Sequence, residues 1–153
     1  MPSLALNKKA RFDYEITETF EAGLVLFGHE VKSIKEGHIS LKGAYIVTQK
    51  GPKGLPDFVL RKVHVSPYKK ASNISDYEPE RDRKILLNKK EINYLLGKYK
   101  EEGYSLIPIK VYTKKSIIKL EFGLGKGKKK HDKREDIKKR DVERKIRTLT
   151  KYQ

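Results

Sequence analysis

Apolar and polar positions change their spacing along this chain, and each change marks an element. Phe12, Tyr14 and Ile16 alternate with Asp13 and Glu15, the period-two signature of a half-buried strand. Ala22 to Leu26 continues as extended chain, with Gly23 as the expected bulge. Val31 and Ile34 predict a short helix from Glu30 to Glu36, stopped by Gly37. Ile39, Leu41, Gly43, Tyr45 and Val47 then share one face of a strand, and Gly51, Pro52 and Gly54 turn the chain between Gln49 and Pro56. Phe58 to Val65 reads as a further strand, and Ser72 to Arg83 as polar loop. Asn88 and Glu91 form an N-cap pair that opens a helix with Ile92, Leu95, Leu96 and Tyr99 on one face. Two strands follow, Tyr104 to Tyr112 and Ser116 to Leu124, and Pro108 demotes the first to an edge or bulged position.

Short strands with glycine at the bends and few helices predict a mainly β body with peripheral helices. An OB-like small closed barrel is the leading arrangement, and an open α+β sheet is the alternative. The expected body is 1–122. A basic tail, 123–153, follows it.

Charge sharpens that division. The chain of 153 residues carries 36 Lys and Arg against 20 Asp and Glu, a net of +16. Half of the excess, +8, falls in the last 31 residues and the other half in the first 122. The tail's apolar residues after Leu124 are only Ile137, Val142, Ile146, Leu149 and Tyr152. That surface cannot offset a backbone ordering cost of ~1–2 kcal/mol per residue, so the free tail is expected to be disordered. Yet Glu135–Lys139, Asp136–Arg140, Asp141–Lys145 and Glu143–Arg147 are acid-before-base pairs at i, i+4. With Val142, Ile146 and Leu149 on one side, the segment is expected to turn helical against a polyanion.

Candidate chemistry narrows the function classes. With no cysteine, disulfides, thiolate metal sites and thiol nucleophiles are excluded. His29, His38, His64 and His131 lack metal-ligand spacing, so no metal or cofactor is expected. The acidic residues of 76–82 and 132–136 are interleaved with Arg and Lys, which suits surface ion pairing better than a Mg²⁺-dependent nuclease. No run approaches the ~20 apolar residues of a membrane span, and the N-terminus does not read as a secretory signal, so a soluble cytoplasmic protein is expected. Arg81, Arg83 and Lys84, flanked by Lys69, Lys70, Lys89 and Lys90, point to nucleic-acid phosphates. Nothing here requires an enzyme. A structural ribosomal protein with a basic rRNA-binding extension would share these features.

Several segments, in order, resemble one family. They are Asn7-Lys8-Lys9-Ala10-Arg11, Thr19 to Leu26, Glu30-Val31-Lys32-Ser33, His64 to Tyr68, Arg81 to Asn88, and Gly127 to Arg134. The chain is similar over nearly its whole length to the SmpB family, partners of transfer-messenger RNA (tmRNA) in bacterial trans-translation. The resemblance implies an OB-like barrel that clasps the tRNA-like domain of tmRNA, with Glu30, Leu86 and Asn88 at positions that contact the D-loop side of the elbow. It implies delivery to stalled ribosomes and insertion of the tail, as a helix, into the empty mRNA channel. There His131 would stack on a decoding-centre base of small-subunit rRNA, and Lys128 and Lys129 would meet rRNA phosphates. Asp132, Lys133 and Arg134 match the motif tied to accommodation. Elongation factor Tu and alanyl-tRNA synthetase would be indirect partners through tmRNA, and the protein itself a monomer.

Overall fold

The computed structural model describes residues 3–52, 54, 56–70, 76–101 and 103–151, without the side chains of 130–132 and 148–151. In chain order the elements are β1 (Ser3–Leu6), α1 (Ala10–Asp13), β2 (Tyr14–Leu24), α2 (Gly28–Lys35), β3 (Ile39–Ser40), β4 (Tyr45–Lys50) and β5 (Pro56–Arg61). There follow β6 (His64–Val65), β7 (Arg83–Leu86), α3 (Lys89–Tyr99), β8 (Tyr104–Lys114), β9 (Ile117–Gly127) and α4 (Lys130–Lys151). Seven strands form one antiparallel sheet in the order β1-β8-β9-β2-β7-β5-β4, and β3 pairs with β6 apart from it.

The mainly β body with helices is therefore present, but the sheet does not close into the expected barrel. It curls far enough for β4 to pack against β8, yet no ladder joins the edge strands β1 and β4. β1 has four residues and β3 only two, too little chain to bridge the seam with hydrogen bonds. A groove of about 790 Å³ remains there, lined in part by Leu6, Lys8, Lys9, Lys42 and Tyr45.

The long β8–β9 hairpin turns at Lys115 and Ser116, both at positive φ (51° and 66°), the conformation that matches strand twist in two-residue hairpins. The β1 ladder ends at Lys110, so Pro108 has a strand partner only in β9, and it also sits where the β8–β9 register shifts. The bulge of β2 falls between Ile16 and Glu18, not at Gly23. Here glycine is needed on the partner strand. A Cβ at Gly125 would lie 2.5 Å from the Glu15 carbonyl oxygen, and one at Gly123 would lie 2.6 Å from Ile16 Cγ2. β9 carries the sheet through the expected boundary at 122 as far as Gly127. The core of Phe58, Leu60, Val65, Leu95, Leu120, Phe122 and Leu124 lies inside the curl.

Other differences are local. Ala10–Asp13 is one helical turn rather than the start of a strand. Lys62, at φ 63°, splits the expected Phe58–Val65 strand into β5 and β6. Of the expected Ser72–Arg83 loop, 72–75 lie outside the described residues, 76–82 are irregular, and Arg83 begins β7.

Candidate nucleic-acid interface

β7 alternates as strands do, but with its polarity inverted at the two ends. Arg83 and Ile85 face the core, whereas Lys84 and Leu86 face out. Leu86 is 51% exposed and Arg83 only 1%. An arginine so deeply buried requires a partner, and the chain supplies it from α2. Glu30, with 0% of its surface exposed, accepts hydrogen bonds from Arg83 Nε at 2.9 Å and from Arg83 Nη2. Arg81 Nε donates to both Glu30 oxygens at 3.1 Å, and its Nη2 adds a closer ion pair. Tyr77 Oη donates to Glu30 Oε2 at 2.9 Å, and the Phe27 backbone N–H donates to Oε1 at 2.8 Å.

Burial alone would push the Glu30 carboxyl up. The Arg81 side chain, the Phe27 N–H and Arg83 more than offset it and hold the carboxyl down at about 2. Burial, with the hydrogen bond to Glu30, pushes the Tyr77 phenol up to about 12. Arg83 also donates to the carbonyls of Val63 at 2.7 Å and Pro79 at 3.0 Å. One buried carboxylate thus ties α2 to the chain leading into β7.

The cluster decides what reaches the surface. The heads of Glu30 and Arg83 point inward, and Arg81 is largely committed to Glu30. Outside lie Leu86, Lys84 and Asn88, side by side at the β7–α3 junction. Lys84 pairs with Asp57 at 3.3 Å across the neighbouring strand. Asn88 Oδ1 accepts from the Glu91 backbone N–H at 2.8 Å, and the Glu91 carboxylate accepts from the Asn88 N–H at 3.4 Å. This is the predicted cap. It uses only the acceptor of the exposed amide, whose Nδ2 donor makes no hydrogen bond among the described residues.

The tail site is separate. α4 leaves the sheet beside α1, where the Lys128 backbone N–H donates to the Asp13 carbonyl at 2.8 Å and the Lys128 ammonium pairs with Asp136. That contact, the largest of several, holds the Asp136 carboxyl below its ordinary value. Lys133 Nζ lies 3.2 Å from Asp13 and 5.9 Å from the centre of the Phe12 ring, and Arg140 lies 5.2 Å from the same ring. Lys129 and Arg134 are exposed. His131 and Asp132 fall in the first turn of α4, but their side chains lie outside the described ones. Ile137, Val142 and Ile146 are exposed along the helix. Among the described residues no three metal-ligating side chains converge, and no helix is long and apolar enough to cross a membrane.

Sequence reasoning missed Phe12, Asp13, Phe27 and Tyr77. Phe12 and Asp13 carry a strand-like alternation, and Tyr77 lies in a polar stretch with no periodicity. The signal that could have found Tyr77 is an aromatic among the charges of 76–83, within reach of two arginines.

The family model described as "SmpB protein" matches residues 4–152. The chain belongs to the SmpB family. SsrA-binding protein of Geobacillus thermodenitrificans is 48% identical over 143 residues, covering 94% of this chain and 88% of that protein. Its counterpart from Alkaliphilus metalliredigens is 49% identical over 144 residues, with the same coverage. Among solved structures, "tmRNA-SmpB: a journey to the center of the bacterial ribosome" contains a chain 37% identical to this one. The match has a TM-score of 0.64 and covers 86% of this chain and 92% of that one. Both candidate regions of this SmpB-family chain, β7–α3 and the α1–α4 junction, fall within the matched residues.

Proposed function

We propose that the protein is an RNA-binding factor of trans-translation, in which the body holds the tRNA-like domain of tmRNA and the tail reads the ribosome. Family membership along almost the whole chain is the observation that carries this reading. The net charge of +16 and the exposed group at the β7–α3 junction support it. Leu86 packs on an unpaired base, the Nδ2 of Asn88 donates to a base edge or ribose hydroxyl, and Lys84 meets phosphate. Glu30, Arg81 and Arg83 act from beneath, by fixing the strand that presents these groups.

The tail enters the vacant mRNA channel near the decoding centre of a stalled ribosome. Past the turns that dock on α1 it is disordered in the free protein and becomes helical as rRNA phosphates screen its cations. His131 stacks there on a base, Lys128 and Lys129 contact phosphates, and Asp132, Lys133 and Arg134 guide accommodation. Elongation factor Tu and alanyl-tRNA synthetase meet this cytoplasmic, monomeric protein only through tmRNA. Peptidyl transfer is the ribosome's.

The test compares the full chain with a truncation after Lys129, which keeps β9 whole. Each is titrated against the tRNA-like domain at two salt concentrations, and tagging is followed on ribosomes stalled at a message end. The truncation should keep specific RNA binding and lose tagging. Loss of specific RNA binding by the truncation would refute the division of labour.

A further inference from the structure

Phe27 has no role in that reading, yet it is 52% exposed at the rim of the same surface. Val25 and Leu86 are the other large apolar side chains left open nearby. The Val25 backbone N–H bonds to the Lys84 carbonyl at 3.0 Å, so the chain leaving β2 runs alongside β7 as far as these residues. A solvent-facing group of Val25, Phe27 and Leu86 has no explanation in folding. Their neighbours Arg81 and Lys84 make it an unfavourable seat for a cationic or purely apolar partner.

The geometry of Arg81 is specific. Its guanidinium carbon stands 4.0 Å from the centre of the Phe27 ring. Its Nε and Nη2 are occupied by Glu30, Nη2 also reaches the Val25 carbonyl at 3.3 Å, and Nη1 reaches the Asp82 carbonyl at 3.2 Å. With five N–H donors on a guanidinium, only one Nη1 hydrogen remains for an outside acceptor. Arg81 is therefore poorly equipped to fork a phosphate. It is well placed to fix one face of the ring and polarise it. The His29 ring, 5.5 Å from Phe27, backs the same group from α2 and is itself held edge-on by Tyr77 at 4.8 Å. The ring is supported from below by a rigid ion cluster and remains half open to solvent.

We propose that Phe27 is a stacking platform for one unstacked nucleobase of the bound RNA, with Arg81 clamping the ring from its protein side and Leu86 and Val25 flanking the base. This rests on the RNA-binding reading above and adds a contact to it. An aromatic face takes any base, so the contact supplies affinity and positions the loop without reading sequence. It neutralises no phosphate.

The test uses the full chain and a transcript of the tRNA-like domain of tmRNA, with 2-aminopurine placed at loop positions one at a time. Phe27→Ala and Phe27→Leu should each weaken binding by about 5- to 100-fold, the range expected for one base–aromatic stack. The salt dependence should stay as in the parent. Phe27→Trp should restore affinity, and the 2-aminopurine quenched by the parent at one loop position should stay bright with Ala or Leu. Phe27→Leu keeps apolar bulk over Arg81 and leaves the backbone bond to Glu30 intact, so its loss cannot come from misfolding if its melting temperature matches the parent's. Unchanged affinity in Phe27→Leu, beside weakened binding in Lys84→Glu, would overturn the platform and leave the RNA-binding reading standing. Unchanged affinity in all variants, Lys84→Glu included, would overturn the platform and move the RNA away from the β7–α3 junction, whereas absence of specific binding by the parent would sink the RNA-binding reading itself. Normal RNA affinity with lost ribosome binding would assign the ring to a ribosome contact and overturn the proposal.

Discussion

The α2–β7 cluster and the tail helix use the same side chains under opposite conditions. In the cluster, one carboxylate and the Arg83 guanidinium are withdrawn from water, and both of the carboxylate's ion pairs join residues distant in sequence. In α4, the charges line an exposed helix, and its Lys133 meets the body at a partly exposed Asp13. Desolvated charges cannot change partners without a large penalty, so the cluster fixes geometry. Exposed pairs are each worth ~1 kcal/mol or less and exchange easily with solvent or phosphate. The body is thereby built to hold a fixed surface at the β7–α3 junction, and the tail to trade its contacts.

The largest effect that would separate the two regions is loss of the shared carboxylate. Glu30→Ala strands Arg83 in the core, and breaking a buried pair in this way costs on the order of 3–5 kcal/mol. A large fall in melting temperature should follow, with weaker RNA binding as a consequence. Normal stability in this variant would show that the cluster does not organise the fold.

Acid should expose the same asymmetry. The Glu30 carboxyl stands near 4.5 ordinarily and at about 2 in the folded chain. A depressed folded value means that the stabilisation is present above the unfolded value and is lost as pH falls from about 4.5 toward 2. The shift corresponds to about 3 kcal/mol. Denaturant titrations across that window should show a stability loss that is larger in the parent than in Glu30→Gln, the difference being the contribution of Glu30. Parallel curves for the two proteins would remove Glu30 as the cause.

The sequence disclosed these regions unequally, for a physical reason. Helix α3 was legible from Asn88, Glu91 and the spacing of Ile92, Leu95 and Leu96, because a cap and a helical stripe are local. The β8–β9 hairpin was legible from its two apolar runs. β7 was not, because its inward positions are Arg83 and Ile85 and its outward ones Lys84 and Leu86, which defeats any hydrophobic alternation. Only the carboxylate from α2 makes Arg83 an inward residue, and no spacing rule announces a partner 53 residues away. The closed barrel failed in the same way, since closure depends on how β1 and β4 meet at the seam. Leu86, Asn88 and Lys84 lie exposed, whereas Glu30 and Arg83 turn inward.

The smallest expected effect is at the junction between body and tail. Asp13 meets Lys133 at 3.2 Å, and both are about one-third exposed. Asp13→Asn removes the charge but keeps the backbone carbonyl that accepts from Lys128, so the exit of α4 from the sheet is preserved. The change in global stability should be ~1 kcal/mol or less. Its signature should lie in the tail, where amide exchange over the first turns of α4 quickens while β8 and β9 stay protected. High salt should reproduce that quickening in the parent, because exposed pairs are screened, and should leave the Glu30 cluster intact. Equal exchange in parent and variant at low salt would mean that Phe12, under Lys133 and Arg140, carries the docking without Asp13.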